Sequence, residues 1–318
     1  MIRLGFDLGG SHVAAGLIEL PDQVRAVRSV KLPGQITFTE LVARMGRMGR
    51  ELLGERGCSS ENPVEIGVAA PGEMDRATGV IRHAYNLDFH NVPLSRALEA
   101  EIPRATVFLI NDADAAALAE WKAGVLKNYQ TAWLLTLGTG VGGGFIEKGR
   151  LFFGGRGFGV EPGHMILDRQ GPLCTCGNRG CIETLCSGTW LTQAAETAAI
   201  RYPHSRLAAE QKAGRPAGGK QVMECYEAGD AAAATIFERY TEQLGDALVS
   251  LIALTDPEAI ALGGGISQAG DFLYEALNGY VQKYAFFETA PPILRSRFGN
   301  SGGILGAAWA TLEEEAEK

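Results

Sequence analysis

Two segments of the chain share the order strand, glycine turn, strand, and this repetition constrains the fold more than any other feature. The first runs from Ile2 to Glu19 around Gly9-Gly10, and the second runs from Trp133 to Glu147 around Gly138-Thr139-Gly140. Apolar strands flank each turn, as is typical of a β-hairpin. A motif that occurs twice predicts a duplicated α/β architecture rather than one continuous sheet.

Composition narrows the class of protein. The 318 residues include 42 glycines, about twice the average usage, and excess glycine favours tight turns or close backbone contacts with a ligand. Hydrophobic residues make up 46% of the chain, and this ordinary globular composition excludes a disordered, collagen-like or coiled-coil protein. The net charge of −8 argues against a nucleic-acid partner. No apolar run is long enough to span a membrane and the N-terminus resembles no secretory signal, so we expect a cytoplasmic protein.

The glycine turns are candidate phosphate sites. In Asp7-Leu8-Gly9-Gly10-Ser11, glycines let the backbone approach a phosphate, Ser11 adds a donor, and Asp7 suits a hydrated Mg²⁺ between carboxylate and phosphate. A plain structural hairpin remains an equal alternative there. The turn Gly138–Gly144 contains five glycines in seven residues, which would weaken a purely structural hairpin. Gly263-Gly264-Gly265, at a strand end, suits a nucleotide base or ribose.

Four of the six cysteines lie within thirteen residues. Three of them, Cys174, Cys176 and Cys181, follow His164 closely, and three thiolates with one imidazole satisfy the closed tetrahedral coordination of structural Zn²⁺. Small buried side chains or a redox dithiol are the weaker alternatives. We expect Cys186 to lie buried in the following helix.

Asn111-Asp112 stands between an apolar strand and an Ala-rich helix, where ligand sites concentrate in α/β sheets. Asp112 could act as a general base on a sugar hydroxyl, but local sequence favours a helix N-cap. Glu161, His164 and Glu183 bracket the cysteine cluster, and a metal-stiffened loop could hold them on a polyol. His164 serves both metal and substrate only if its two ring nitrogens face different ways.

Together these motifs closely resemble the ROK family of bacterial sugar kinases, glucokinases among them, within the actin–hexokinase superfamily. The resemblance extends over nearly the whole chain. The most specific part is Glu161-Pro-Gly-His164 followed by Cys174-x-Cys176-Gly-x-x-Gly-Cys181-x-Glu183. The other matching motifs are Asp7-Leu-Gly-Gly-Ser11, Ala70-Pro-Gly72, Tyr85-Asn-Leu87, Asn111-Asp-Ala-Asp-Ala-Ala-Ala117 and Leu137-Gly-Thr-Gly-Val-Gly-Gly-Gly144.

The resemblance implies a two-domain actin-like ATPase fold, related to ribonuclease H, with a cleft between the domains and a zinc-stiffened loop at 164–181. It places residues 1–111 and 299–318 in a small α/β domain and 112–298 in a large one. It makes Asp112 the catalytic base on the 6-hydroxyl of the sugar.

The resemblance also assigns the remaining site residues. Those implied to bind the sugar are Gly72, Asn86, Asn111, Asp112, Glu161, His164 and Glu183. Those implied to bind ATP and its Mg²⁺ are Asp7, Gly9, Gly10, Ser11, Gly138, Thr139, Gly140, Gly264 and Gly265. The implied zinc ligands are His164, Cys174, Cys176 and Cys181. A homodimer or homotetramer is the implied assembly.

Two residues depart from the family pattern: His12 replaces the usual Lys or Asn, and Asp114 replaces an Asn. Family members also include repressors, but the acidic charge and a phosphate strand starting at residue 2 favour an enzyme. A non-catalytic sugar sensor would be expected to have lost Asp112 or the glycine turns. We predict phosphorylation of glucose, with N-acetylglucosamine, N-acetylmannosamine, mannose and fructose as alternative substrates.

Overall fold

The computed structural model describes residues 2–19, 23–55, 57 and 62–316. Packing divides the chain into two units. The first contains Met1–Asn128, Gly144–Val160 and Asn300–Lys318, and the second contains Tyr129–Gly143 and Glu161–Gly299.

The elements follow one another in chain order as strands and helices of both units. The strands are β1 (Ile2–Leu8), β2 (His12–Glu19), β3 (Gln23–Lys31), β4 (Val64–Ala70), β5 (Glu73–Asp75), β6 (Val80–Ala84), β7 (Phe89–Val92), β8 (Ala105–Asn111), β9 (Ala132–Leu137), β10 (Val141–Glu147), β11 (Arg150–Leu151), β12 (Ala259–Gly263) and β13 (Ile293–Arg295). The helices are α1 (Phe38–Glu55), α2 (Leu94–Glu101), α3 (Asp112–Ala123), α4 (Ile182–Cys186), α5 (Gly188–Arg201), α6 (Arg206–Lys212), α7 (Gly219–Glu227), α8 (Ala231–Thr255), α9 (Asp271–Tyr284) and α10 (Gly302–Ala316).

A five-stranded sheet forms the centre of the first unit, in the order β3–β2–β1–β4–β8. The strands β3, β2 and β1 are antiparallel, whereas β1, β4 and β8 are parallel. All seven residues of β4 are buried, as is typical of a central strand covered on both faces, whereas no residue of the edge strand β3 is. The sheet therefore brings the carboxyl ends of β1, β4 and β8 to one edge.

The second five-stranded sheet has the order β11–β10–β9–β12–β13. In it β9, β12 and β13 are parallel, so that the carboxyl ends of β9 and β12 also meet at one edge. The long helix α8 is amphipathic and buries twelve of its 25 residues. Of the helices in the described residues, none is sufficiently long and apolar to cross a membrane.

The predicted mixed α/β class is confirmed, and the two segments with the order strand, glycine turn, strand form the neighbouring strand pairs β1–β2 and β9–β10. A three-stranded sheet, β5–β6–β7, and the helix α2 were missed. The predicted domain boundary between residues 111 and 112 stays a prediction, since packing in one conformation does not decide which segments move together.

Candidate functional site

Several of the sequence-predicted site residues of the first unit lie at the carboxyl edge of its sheet. Asp7 is the penultimate residue of β1 and pairs in register with Ala69 of β4, and the last residue of β4 pairs with Asn111 of β8. Asp112 follows as the first residue of α3. In open α/β sheets, ligands bind at this edge because the strand ends and helix N-termini present polar backbone groups there.

Asn111, not Asp112, caps the helix α3. The Asn111 side-chain oxygen accepts hydrogen bonds from the backbone N–H groups of Ala113 and Asp114, at 2.9 and 3.3 Å. The preference of the local sequence for Asp112 as the cap is therefore wrong. Asn is as favourable an N-cap residue as Asp. Because Asn111 stands one residue before the helix, its side-chain oxygen reaches the N–H groups of the second and third helical residues. The Asp112 carboxyl, which also accepts from the Ala113 N–H at 2.8 Å, is exposed.

Both carboxyl groups at this edge hold protons more tightly than a carboxyl in water. Although Asp112 is exposed, the protein around its carboxyl keeps much of the water away, and this desolvation raises its pKa. The hydrogen bond from the Ala113 N–H lowers the pKa, but by less. Burial, followed by the nearby charge of Asp112, raises the pKa of Asp7 to about 6, although His12 acts in the opposite direction. Two carboxylates whose charges repel each other favour a bound proton or a nearby cation.

The donor set around Asp7 fits Mg²⁺. Mg²⁺ prefers hard oxygen ligands and is usually bound through one or two carboxylates together with substrate phosphates and water. Asp7 offers one such carboxylate next to the Gly9-Gly10-Ser11 turn, in which Gly10 and Ser11 are exposed and Gly9 is half-buried. Asp7 is the residue that would hold the ion there.

A cavity of about 880 Å³ opens beside this turn in the first unit. Gly10 and Asn86 line it, and a Cβ added at Gly10 would lie 3.1 Å from the Asn86 Cβ. Residues 33–38 and His90 also line the cavity. Asn86 is exposed, so its amide can meet a ligand in this cavity.

Gly72 follows β4 at the same edge, in a conformation that requires glycine. Its φ is +94°, and a Cβ added there would lie 2.0 Å from the carbonyl oxygen of His83. The contact fixes the end of β4 against β6. Gly72 therefore has a clear packing role, whether or not it also lines a ligand site.

In the second unit, the glycine turns at the ends of β9 and β12 adjoin each other. The turn after β9 is closed by a hydrogen bond from the Gly138 N–H to the Gly140 carbonyl, at 3.0 Å. Gly264 has a φ of +80°, and a Cβ there would lie 2.5 Å from the carbonyl oxygen of Leu137. Thr139 and Gly265 are exposed. The two predicted nucleotide turns are thus neighbours.

Glu183 connects the first of these turns to the cysteine cluster. Its Oε2 accepts a hydrogen bond from the Val141 N–H at 3.2 Å, and its Oε1 lies 3.9 Å from the Cys174 Sγ. The sequence predicted Glu183 only as a sugar ligand. Its contact with the turn was missed because no local pattern relates residues 42 positions apart.

The predicted metal ligands converge on one point. One donor atom from each of His164, Cys174, Cys176 and Cys181 lies within 4.8 Å of all the others. The Cys174 Sγ is 3.6 Å from the His164 Nδ1, and the two remaining Sγ atoms are 3.7 Å apart. A tetrahedral zinc site with ordinary bond lengths has edges of about 3.6 Å between N and S and about 3.8 Å between two S atoms.

The cluster therefore fits a tetrahedral thiophilic cation. Gly177 and Gly180 provide left-handed turns between the ligands, with φ of +90° and +67°, as expected from the sequence. Burial and the two neighbouring thiols raise the pKa of Cys181 to about 12, because a further negative charge there is unfavourable without a cation. His164 turns its Nδ1 to the cluster, and its other ring nitrogen can face elsewhere.

The remaining residues that the sequence singled out have simpler surroundings. Glu161 is exposed and precedes a short 3₁₀ turn, Pro162–His164. His12 is exposed beside Gly9, whereas Asp114 is buried in α3. Cys186 is buried at the end of α4, as expected.

Comparisons with known proteins identify relatives along the whole chain. The sequence model of the ROK family matches residues 3–314. A glucokinase from Thermotoga maritima is 34% identical, with 96% of this chain and 95% of that protein covered. An N-acetyl-D-glucosamine kinase from Aliivibrio salmonicida is 30% identical over 97% of this chain and 99% of its own length. The crystal structure of a ROK family glucokinase from Streptomyces griseus in complex with glucose and AMPPNP has a TM-score of 0.81 and 27% identity, covering 97% and 98% of the two chains.

Proposed function

The chain belongs to the ROK family and is a sugar kinase, and we propose that it transfers the terminal phosphoryl group of ATP to the 6-hydroxyl of glucose. The glucokinases among its relatives support glucose, and the glucose and AMPPNP complex of the Streptomyces griseus protein supports this pair of substrates.

The observation that carries the proposal is the state of Asp112. Asp112 is exposed, and Asn111 rather than Asp112 is the N-cap of α3, so that the Asp112 carboxylate can accept a proton from a hydroxyl. Its raised pKa makes the ionised group a stronger base than an ordinary aspartate. As the proton leaves, the hydroxyl oxygen attacks the phosphoryl group, and ADP is released.

Other residues of each unit bind and orient the substrates in this proposal. In the first unit Gly72, Asn86 and Asn111 hold the sugar, and the turn Gly9-Gly10-Ser11 binds phosphate. In the second unit, Glu161, His164 and Glu183 bind sugar hydroxyls. There the turn Gly138–Gly140 binds phosphate, and Gly264-Gly265 faces the adenosine.

Two metal ions complete the proposal. Mg²⁺, held by Asp7 and the nucleotide phosphates, supplies charge neutralisation when bound. Zn²⁺ is proposed for the cluster of His164, Cys174, Cys176 and Cys181. Four protein ligands leave no open coordination position, so its role is structural.

N-acetyl-D-glucosamine is the second candidate substrate. A relative with 30% identity is named an N-acetyl-D-glucosamine kinase. The 880 Å³ cavity beside Asn86 is larger than a hexose. An acetamido group could occupy the additional space.

A screen of ATP consumption tests the proposal. Purified protein with Mg-ATP is assayed against glucose, N-acetylglucosamine, N-acetylmannosamine, mannose and fructose, with the Asp112→Asn variant as the inactive control. Glucose is expected to give the highest kcat/KM. Absence of sugar-dependent turnover with every sugar would favour a sugar-sensing protein instead.

A further inference from the structure

The glycine turn Gly138–Gly140 is held by the start of helix α5. The Gly188 N–H donates a hydrogen bond to the Gly138 carbonyl at 2.7 Å. The Thr189 hydroxyl donates to the Thr139 carbonyl, also at 2.7 Å. Two consecutive carbonyl groups of the turn are therefore directed at the N-terminus of α5, whose first N–H groups have no partner within the helix.

This arrangement fixes the direction of two backbone N–H groups. In a planar trans peptide the N–H of one residue points opposite to the carbonyl of the residue before it. With the carbonyls of Gly138 and Thr139 turned to α5, the N–H groups of Thr139 and Gly140 point away from it. Among the described residues, neither of these N–H groups donates to a protein acceptor. Adjacent N–H groups with one direction form an anion site.

We call the two hydrogen bonds from Gly188 and Thr189 to the turn the clamp, and the glycines of the turn make it necessary. Gly138 and Gly140 flank the Thr139 peptide, and glycine adopts many backbone conformations at little cost. An unheld peptide between them can rotate and present its carbonyl oxygen, which repels a phosphate. On the far side of the turn, the Val141 N–H is bound to Glu183 and cannot replace the lost donor.

The clamp also has a stiff base. The residue before α4 is the cluster cysteine Cys181, and Ser187 caps α5 by accepting from the Trp190 N–H at 3.2 Å. Gly188 can approach the turn because it has no side chain: a Cβ there would lie 2.8 Å from the Gly138 oxygen.

We propose that Thr189 is a positioning residue for the nucleotide, which holds the Thr139–Gly140 peptide with its N–H towards a phosphate. The inference rests on the proposed function, in which this turn binds ATP. Thr189 itself does not touch the nucleotide and acts through the turn.

The test compares four variants of helix α5 in the metal-loaded protein, and three of them change a threonine. Thr189→Val removes the hydroxyl and keeps the shape, and Thr189→Ser restores the hydroxyl. Thr197→Val is the matched control, because the Thr197 hydroxyl donates to the carbonyl of Gln193 in its own helix and to no other acceptor among the described residues. The dissociation constant of AMPPNP is measured by calorimetry, and that of glucose by tryptophan fluorescence.

The Thr189→Val variant is expected to bind AMPPNP about three- to tenfold more weakly, the value of one hydrogen bond, with glucose binding within about twofold. Thr189→Ser and Thr197→Val should match the wild type. Gly188→Ala adds a methyl group that pushes the turn away, and it should also weaken the binding of AMPPNP.

Unchanged AMPPNP binding in Thr189→Val, or an equal loss of glucose binding, would overturn the inference. A wild type that binds AMPPNP but phosphorylates no sugar would instead refute the proposed function and leave the clamp intact.

Discussion

Among single residues, Asp112 is the one whose environment matches a catalytic role most closely. It occupies the first position of α3, where the positive end of the helix dipole favours its ionised form, while surrounding protein raises its pKa. Neighbouring Asn111 is the N-cap of α3, and Asp112 shares with it only the N–H of Ala113. Sequence alone could not separate these roles, since both residue types are good caps.

Replacing Asp112 by Asn should separate binding from chemistry. The amide keeps the size and can still hydrogen bond to a sugar hydroxyl, but it cannot accept the proton. We expect kcat to fall by about a thousandfold while the dissociation constant of glucose stays within about threefold. A coupled assay and calorimetry measure the two quantities. The control Asp271→Asn removes a carboxylate of α9 that pairs with Arg295 at 2.8 Å, and it should change neither.

The pKa of Asp7 is raised as well, so its ionised form costs stability. Its pKa of about 6 in the folded protein exceeds the ordinary value of 3.8, so that the folded state binds this proton more tightly than the unfolded state. The protonated Asp7 carboxyl stabilises the folded state fully below about pH 4, and this stabilisation is lost as the pH rises through 6. At pH 8 the ionised group therefore lowers the free energy of unfolding by about 3 kcal/mol.

The Asp7→Asn variant should remove that penalty. We expect its free energy of unfolding to exceed that of the wild type by about 3 kcal/mol at pH 8 and nearly to equal it at pH 4. Urea titrations at both pH values measure the difference. Activity should fall because the proposed Mg²⁺ ligand is lost. A stability gain of the same size at both pH values would contradict the assigned cause.

At the scale of elements, the cysteine loop stands out because it has little apolar core of its own. Of the three clustered cysteines, Cys174 and Cys181 are buried and Cys176 is exposed. Isolated bridges, Ile166 with Cys181 and Leu173 with Arg179, are the only strand pairing among its described residues. A structural metal commonly replaces a core in a segment of this kind.

Metal content and stability should change together in Cys176→Ser. The wild type is expected to contain one zinc per chain by elemental analysis, and the variant substantially less, with a lower melting temperature. Cys225→Ser, which alters a buried cysteine of α7 outside the cluster, should keep its zinc. A metal-free wild type with full activity would show that the cluster needs no ion.

The elements also mark what the sequence can predict. The convergence of the cysteines, the strand ends and the glycine turns could be predicted because each is a local pattern in the sequence. The strands β5, β6 and β7 were missed because they are only three to five residues long, too short to show a regular apolar alternation. The contacts of Glu183 and Thr189 with the turn were missed because they join residues 42 and 50 positions apart.

For the molecule as a whole, the open question is which sugar stabilises the fold most. A ligand that binds only the folded state raises its stability in proportion to the logarithm of its concentration over the dissociation constant. At a hundredfold excess over that constant the gain is about 2.7 kcal/mol, which for a chain of this length corresponds to a rise of about 4 °C in the melting temperature. The shift therefore ranks sugars without requiring turnover.

We expect glucose, with AMPPNP and Mg²⁺ present, to raise the melting temperature more than N-acetylglucosamine, mannose or fructose at equal concentration. Because AMPPNP replaces ATP, no sugar is consumed during the measurement. The Asp112→Asn variant should give the same ranking, since it keeps the sugar contacts and lacks only the base. A larger shift with N-acetylglucosamine in both proteins would reassign the substrate, and the cavity beside Asn86 would then be the place where the acetamido group binds.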